Sequence, residues 1–177
     1  MRYLITSLLV IGCVALTAGA PQAPSGGTAA GKACALLTRD LAMKVSTPAG
    51  RKSLERAKPR EGGYEGMTLV KDASACAYGP ILLVLDPLAR PEQIRQEMRA
   101  QSGPRDRSGT PIYKNHEPVS GVGDEAFFDF NSSFANLYVW SGPRHFSIQM
   151  VAGYEDDAKA LKPNVVALAK AIVSQLR

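Results

Sequence analysis

The stretch that decides the fold runs from residue 121 to residue 151 and reads GVGDEAFFDFNSSFANLYVWSGPRHFSIQMV. Two groups of turn-forming residues, Asn131-Ser132-Ser133 and Ser141-Gly142-Pro143, divide it into three segments rich in apolar side chains. Apolar segments of this length between turn signals are typical of strands. The stretch therefore predicts three antiparallel strands joined by two tight turns.

Side chains alternate between the two faces of a strand, and this alternation assigns a face to each residue of the last predicted strand. Phe146, Ile148 and Met150 share an apolar face, whereas His145 and Gln149 share the opposite, polar face. The two preceding strands repeat the pattern, with aromatic residues added to the polar face. An antiparallel meander with one face against the core gives this arrangement.

The remainder of the chain predicts helices and further strands around this meander. Apolar periodicity predicts a helix over residues 33–45, a second from Pro91 to about residue 101, and a C-terminal helix. Strands are predicted at residues 74–78 and 81–86, with a short one at 67–70 and an edge strand or loop at 112–119. We expect an α+β fold: an antiparallel sheet of about five to six strands packed by N-terminal, middle and C-terminal helices.

The first residues have the layout of an export signal. Arg2 precedes an apolar run that ends in the small residues Ala18-Gly19-Ala20, so we expect a signal peptide over residues 1–20. Residues 21–31 are rich in Pro, Gly, Ser and Thr and predict a flexible linker, followed by a single domain over residues 32–177. Two alternatives remain open: a retained membrane anchor, and lipidation of Cys13; without a retained anchor, membrane attachment would require the lipid on Cys13.

Two cysteines, Cys34 and Cys76, remain once the predicted signal peptide is removed. In an exported chain an even pair favours a disulfide, which would join the first helix to the first strand. The alternative is two buried thiols. Neither a Cys-x-x-Cys motif nor a matched histidine pair accompanies them, so zinc is not expected.

The formal net charge is +5, and positive charge is concentrated in one short segment. This segment contains five cations and only Glu55 as an anion; the cations are Arg51, Lys52, Arg56, Lys58 and Arg60. It is either an anion-binding patch or a solvated loop or short exposed helix. In an exported protein its partner would be an anionic envelope component or another exported protein, and nucleic acid is not expected as a partner in that compartment.

An enzyme of this sequence would have to use the acidic residues of the meander and the histidines. Asp124, Glu125 and His145 are the candidates for a hydrolytic or metal-dependent site, with His116 and Asp129 as further titratable groups. Their spacing matches no mechanism-bearing motif. We therefore favour a non-catalytic protein without a cofactor or metal.

A binding role would use the polar face of the meander. The candidate ligand-binding residues are Tyr138, Trp140, His145 and Gln149, because aromatic rings with polar neighbours can stack on a sugar or peptide. Two other interpretations are open: a second helical layer covers these residues, or they are ordinary cross-strand aromatic pairs.

Short motifs carry a resemblance to a known class of proteins. Residues 33–38 (ACALLT), 75–78 (ACAY) and 121–128 (GVGDEAFF), with an Ala-rich closing helix, resemble small exported bacterial proteins of unknown function. Their layout is similar to extracellular sensor domains of receptor Ser/Thr kinases. The resemblance implies a helix-packed antiparallel sheet, a Cys34–Cys76 bridge and an undefined ligand. We therefore expect an exported binding or accessory protein of the bacterial cell envelope, or alternatively an inhibitor or immunity-type protein.

Overall fold

The structure, a computed structural model, describes residues 32–100, 117–153 and 157–176. The predicted signal peptide, the linker, Cys13 and His116 lie outside the described residues. Within the described ranges, no helix has both the length and the hydrophobicity that a membrane-spanning segment needs.

The centre of the molecule is one antiparallel sheet of seven strands in the order β1-β2-β3-β7-β6-β5-β4. The strands are β1 (Arg60–Glu61), β2 (Ser74–Tyr78), β3 (Ile81–Leu85), β4 (Glu117–Val119), β5 (Glu125–Phe130), β6 (Phe134–Ser141) and β7 (Arg144–Val151). The α+β class and the β5–β6–β7 meander are confirmed. The expected strand number was slightly low because the two edge strands, β1 and β4, are very short. The strand predicted at residues 67–70 is wrong, since that segment is irregular.

The helices are α1 (Lys32–Leu36), α2 (Arg39–Val45), α3 (Pro48–Arg56), α4 (Pro91–Arg99) and α5 (Lys162–Leu176), with a 3-10 turn at Ala158–Leu161 before α5. The single helix predicted over residues 33–45 is in fact two helices. Thr38 interrupts it, because its side chain accepts a hydrogen bond of 3.3 Å from the backbone N–H of Leu41 and so starts α2. Thr47 caps α3 in the same way, with Pro48 at the first helical position.

The main core lies on the sheet face predicted to be apolar. Phe128, Leu137, Phe146 and Ile148 on this face are fully buried. Helices α1, α2 and α5 cover them, and α5 contributes a run of buried residues that consists of Val165, Leu168, Ala169, Ile172 and Val173. The broad apolar face of the C-terminal helix therefore closes the core, as its periodicity predicts.

A disulfide joins Cys34 in α1 to Cys76 in β2, with their Cα atoms 4.9 Å apart, which confirms the predicted pair. Beside it, the backbone N–H of Ala33 donates a hydrogen bond of 3.1 Å to the Ser74 hydroxyl. These two links hold the short helix α1 against the sheet. A disulfide of this kind fits an oxidising compartment.

The second face of the sheet is covered in two places. At the β2–β3 side, Tyr64, Met67 and Leu69 from the irregular segment after β1 pack on small and aliphatic side chains. At the β5–β6 side, α4 lies over Phe127 and Trp140. Between these two covers the face carries polar side chains.

Candidate functional site

Trp140, the central residue of the predicted binding face, is covered by α4. Its side chain is only 3% exposed and contacts Met98 of α4 and the ring of Phe127, with 6.0 Å between the two ring centroids. The guanidinium of Arg95 lies 5.9 Å from its ring centroid. Of the interpretations left open, the covering helix is therefore the one observed. Trp140 offers no surface on which a ligand can stack.

Two arginines of α4 hold this cover in place by binding Glu125 at the start of β5. Arg99 Nε donates a hydrogen bond of 2.6 Å to Glu125 Oε1, and Arg95 and Arg99 both bind Glu125 Oε2. The hydrogen bond from Arg99, with the further contribution of Arg95, lowers the pKa of Glu125 below its usual range. Glu125 is thus a structural anion that ties the helix to the sheet.

His145, predicted to bind a ligand or to act in catalysis, has both ring nitrogens engaged. Its Nε2 accepts a hydrogen bond of 3.0 Å from the backbone N–H of Leu88, and its Nδ1 lies 3.5 Å from Asp86 Oδ1. Burial lowers the pKa of His145, although Asp86 acts in the opposite direction. The ring is therefore a buried, neutral support for the loop between β3 and α4.

The three residues proposed for an enzyme do not form a site. Trp140 on β6 is the cross-strand neighbour of both Glu125 on β5 and His145 on β7. The Glu125 carboxylate and the His145 imidazole are therefore separated by two strand spacings, or about 10 Å. Asp124 lies beside the turn between β6 and β7, where its Oδ2 accepts a hydrogen bond of 2.7 Å from the backbone N–H of Gly142. Across the described ranges, no group of His, Cys, Asp or Glu side chains has a metal-binding arrangement.

A polar row crosses the middle of the second face, where Asp129, Asn136 and Gln149 are cross-strand neighbours on β5, β6 and β7. Gln149 Nε2 donates a hydrogen bond of 3.0 Å to Asn136 Oδ1, so this candidate ligand-binding residue is already engaged, while Tyr138 beside the row is partly buried. Asp129 is 1% exposed, and neither carboxylate oxygen accepts a hydrogen bond of good geometry from a described residue. Burial raises its pKa to about 6, although the backbone N–H of Phe130 acts in the opposite direction.

The predicted anion patch is solvent-exposed on α3 and the turn that follows it. We call Arg51, Lys52, Arg56, Lys58 and Arg60 the α3 patch, and all five are exposed. None of them forms an ion pair with a described residue, whereas Arg95, Arg99, Arg144 and Lys162 each bind a carboxylate. Arg51 is also fixed in position, because its Nε donates a hydrogen bond of 3.2 Å to the carbonyl oxygen of Ser46.

Charge is unevenly distributed along the described chain. Residues 32–61, which form α1 to α3 and β1, contain eight Lys or Arg and three Asp or Glu. Residues 62–100 and 117–153, which form most of the sheet and α4, contain five Lys or Arg and nine Asp or Glu. The α3 patch thus lies in the basic part of a molecule with a marked charge asymmetry.

Beside the α3 patch lies a cleft that the sequence patterns do not reveal. It has a volume of about 210 Å³ and lies between the α2–α3 turn, the β2–β3 turn and the end of β7. Its walls include Ser46, Thr47, Ile81, Met150 and Val151. These residues are distant in sequence, so no local motif predicts the cleft.

Comparisons of this chain with protein-family models, with curated proteins and with solved structures found no match. The resemblance to extracellular sensor domains therefore stays a prediction, and the functional argument rests on the geometry described above.

Proposed function

We propose that this protein is an exported, non-catalytic binding protein of the bacterial cell envelope, located in the periplasm or secreted. We further propose that its α3 patch binds an anionic component of that envelope. The observation that carries this proposal is that the five cations are exposed and form no ion pair with a described residue. Four cations elsewhere, Arg95, Arg99, Arg144 and Lys162, bind carboxylates, whereas the α3 patch concentrates five exposed cations within ten residues and leaves them available to an external anion.

The arrangement of α3 favours a defined surface over a mobile charged loop. The helix is held by its cap at Thr47 and by the buried side chain of Leu54, so Arg51, Lys52 and Arg56 project from a rigid element. A set of cations with fixed spacing loses less conformational entropy on binding than the same charges on a loop. The export signal and the disulfide support placement of this surface outside the cytoplasm.

Two other functions receive less support from the geometry. The hydrolytic or metal-dependent alternative requires Asp124, Glu125 and His145 to converge, and they are separated and individually engaged. The inhibitor or immunity-type alternative requires a protein partner, and the α3 patch suits an acidic protein as well as a smaller anion. That alternative is an outcome of the test below.

The test measures binding of the mature protein to phosphatidylglycerol vesicles and to poly-glutamate. The variant Lys52→Glu/Arg56→Glu reverses two cations of the α3 patch, and Lys71→Glu/Arg90→Glu makes the same change in net charge at two exposed cations outside the patch. A cation near an anionic membrane surface contributes about 1 kcal/mol. Loss of the two cations alone corresponds to about 30-fold, and the two added carboxylates are repelled as well. We therefore expect the first variant to bind vesicles at least about 30-fold more weakly and the second to bind nearly as well as the wild type.

An equal loss in both variants would show that net charge, and not the α3 patch, determines binding. Absence of binding to either anion would contradict the proposal. Recovery of a stoichiometric exported protein bound to the wild type, together with absence of anion binding, would instead favour the inhibitor or immunity-type function.

A further inference from the structure

The cleft beside the α3 patch combines an apolar floor with a polar rim. Ile81, Met150 and Leu161 provide buried apolar surface at its base, and the side chains of Ser46, Thr47 and Ser53 lie on the helical side. Apolar clefts lined by a few polar groups are the usual form of small-molecule sites. The cleft therefore has the surface chemistry of a ligand site.

One wall of the cleft is an apolar side chain exposed to solvent. Val151 is 37% exposed and, with Val70, is one of the two large apolar residues that are exposed in the described part of the chain. Val70 lies elsewhere, in the irregular segment between β1 and β2. Exposure of Val151 at the mouth leaves apolar surface that a bound hydrocarbon would cover.

Arg51 places a positive charge next to a residue of the cleft wall. Its Nε binds the carbonyl oxygen of Ser46, and Ser46 itself lines the cleft. Ser46 is in turn fixed by a hydrogen bond of 2.8 Å from its hydroxyl to the carbonyl oxygen of Ala42. The exposed side chain of Arg51 is thus held against the Ser46 segment of the cleft wall, where the α3 patch adjoins the cleft.

From these features we infer that the cleft binds a single-chain anionic lipid, with its acyl chain on the floor and its carboxylate or phosphate head on Arg51. This inference rests on the proposed function and names the class of anion that the protein takes. The volume of about 210 Å³ is below that of sites for drug-sized ligands, and it suits one hydrocarbon chain better than a two-chain lipid.

The experiment uses the mature protein and a series of straight-chain alkanoates below their critical micelle concentrations, with the alkanols of the same length as uncharged controls. Isothermal titration calorimetry gives the affinities. Burial of each added methylene predicts an affinity gain of about fourfold until the cleft is filled. A hydrogen bond to the charged guanidinium predicts that each alkanoate binds about tenfold more tightly than its alkanol.

Two kinds of variant test the contribution of the cleft to binding and the contribution of the Arg51 charge separately. Ala49→Trp and Ser53→Trp each place an indole in the cleft from an exposed position of α3, and both are expected to abolish binding of alkanoates and alkanols. Ala89→Trp introduces the same ring at an exposed position outside the cleft and is expected to bind like the wild type. Arg51→Gln is expected to remove the difference between alkanoate and alkanol while the dependence on chain length remains.

Affinities that do not depend on chain length, or that persist in both Ala49→Trp and Ser53→Trp, overturn the inference. Vesicle binding by these two variants is measured in parallel. If they bind vesicles normally but wild-type protein shows no chain-length effect, the lipid cleft is wrong while the function of the α3 patch stands. If the wild type binds neither vesicles nor alkanoates, both proposals fail.

Discussion

The Nε2 atom of His145 accepts a hydrogen bond of 3.0 Å from the backbone N–H of Leu88. On the other side of the ring, Nδ1 faces Asp86, whose carboxylate also binds Arg144. The imidazole therefore connects β7 to the loop that leads from β3 into α4. The sequence makes His145 a candidate for acid–base chemistry, but in the structure it supports the loop leading into the helix that covers Trp140.

We predict that His145→Ala lowers the free energy of unfolding by about 1–3 kcal/mol, because the N–H of Leu88 is left without its acceptor. His145→Gln retains an acceptor at the Nε2 position and should lose less. Urea denaturation at neutral pH measures both. Equal stability of His145→Ala and wild type would show that this hydrogen bond contributes nothing.

The same residue predicts a pH dependence. Burial lowers the pKa of His145 in the folded state, so the unfolded state binds the proton more tightly. The stability from the neutral ring is complete above the unfolded pKa of about 6.5 and is lost as the pH falls below it. His145→Gln, which does not titrate, should remove this loss. If the stability difference between wild type and His145→Gln is constant from neutral to acidic pH, the expectation is wrong.

For Asp129 we predict a pH dependence of stability with the opposite sign to that of His145. Burial raises its pKa to about 6, against a reference of 3.8, so ionisation at neutral pH costs the folded state about 3 kcal/mol. The free energy of unfolding is highest below pH ~4, where Asp129 is protonated in both the folded and the unfolded state. It falls as the pH rises to about 6.

The neutral variant Asp129→Asn tests this cost. We expect it to be more stable than the wild type by up to about 3 kcal/mol at neutral pH, with the gain disappearing below pH ~4. Denaturant unfolding across this range gives the difference. Asp72→Asn is the matched control, since Asp72 is exposed, and it should change stability little. A destabilised Asp129→Asn protein would show that the carboxylate makes a favourable interaction in the native state.

The sequence was sufficient to predict the sheet faces but not what covers the second face. Alternation along β5 to β7 depends only on strand geometry, so Phe146 and Ile148 could be assigned to the core directly. The covering helix α4 has a thin apolar stripe of Ile94 and Met98. Much of its attachment comes from arginines that bind Glu125, and such long-range ion pairs leave no periodic signal in the sequence.

The candidate site, too, could be predicted from the sequence only in part. The α3 patch could be predicted because its five cations are close in sequence, and exposure of such a run is the common outcome. The cleft beside it could not, because Ser46, Ile81 and Val151 come from three separate segments. The partners of His145 could not be predicted either, since Asp86 and Leu88 lie far from it in sequence.

We predict that the Cys34–Cys76 disulfide makes a large contribution to the free energy of unfolding. It closes a loop with a sequence separation of 42 residues, and the chain-entropy model gives about 4 kcal/mol for a loop of this length. The Cys34→Ser/Cys76→Ser variant should be less stable by this amount in urea denaturation. Wild type treated with a reductant should match the variant. Identical unfolding curves for oxidised wild type and the variant would contradict the prediction.

The fluorescence of Trp140, the single tryptophan of the chain, reports whether α4 still covers its ring. Glu125→Ala removes the acceptor of Arg95 and Arg99, so we expect α4 to loosen and Trp140 to become more accessible. Acrylamide quenching should increase and the emission maximum should shift to longer wavelength. Glu92→Ala is the control, because Glu92 is 67% exposed and binds only Arg95, at 3.5 Å, among the described residues. If Glu125→Ala and Glu92→Ala show equal quenching, the two arginines do not hold the helix over the indole, and apolar packing of Met98 alone keeps it buried.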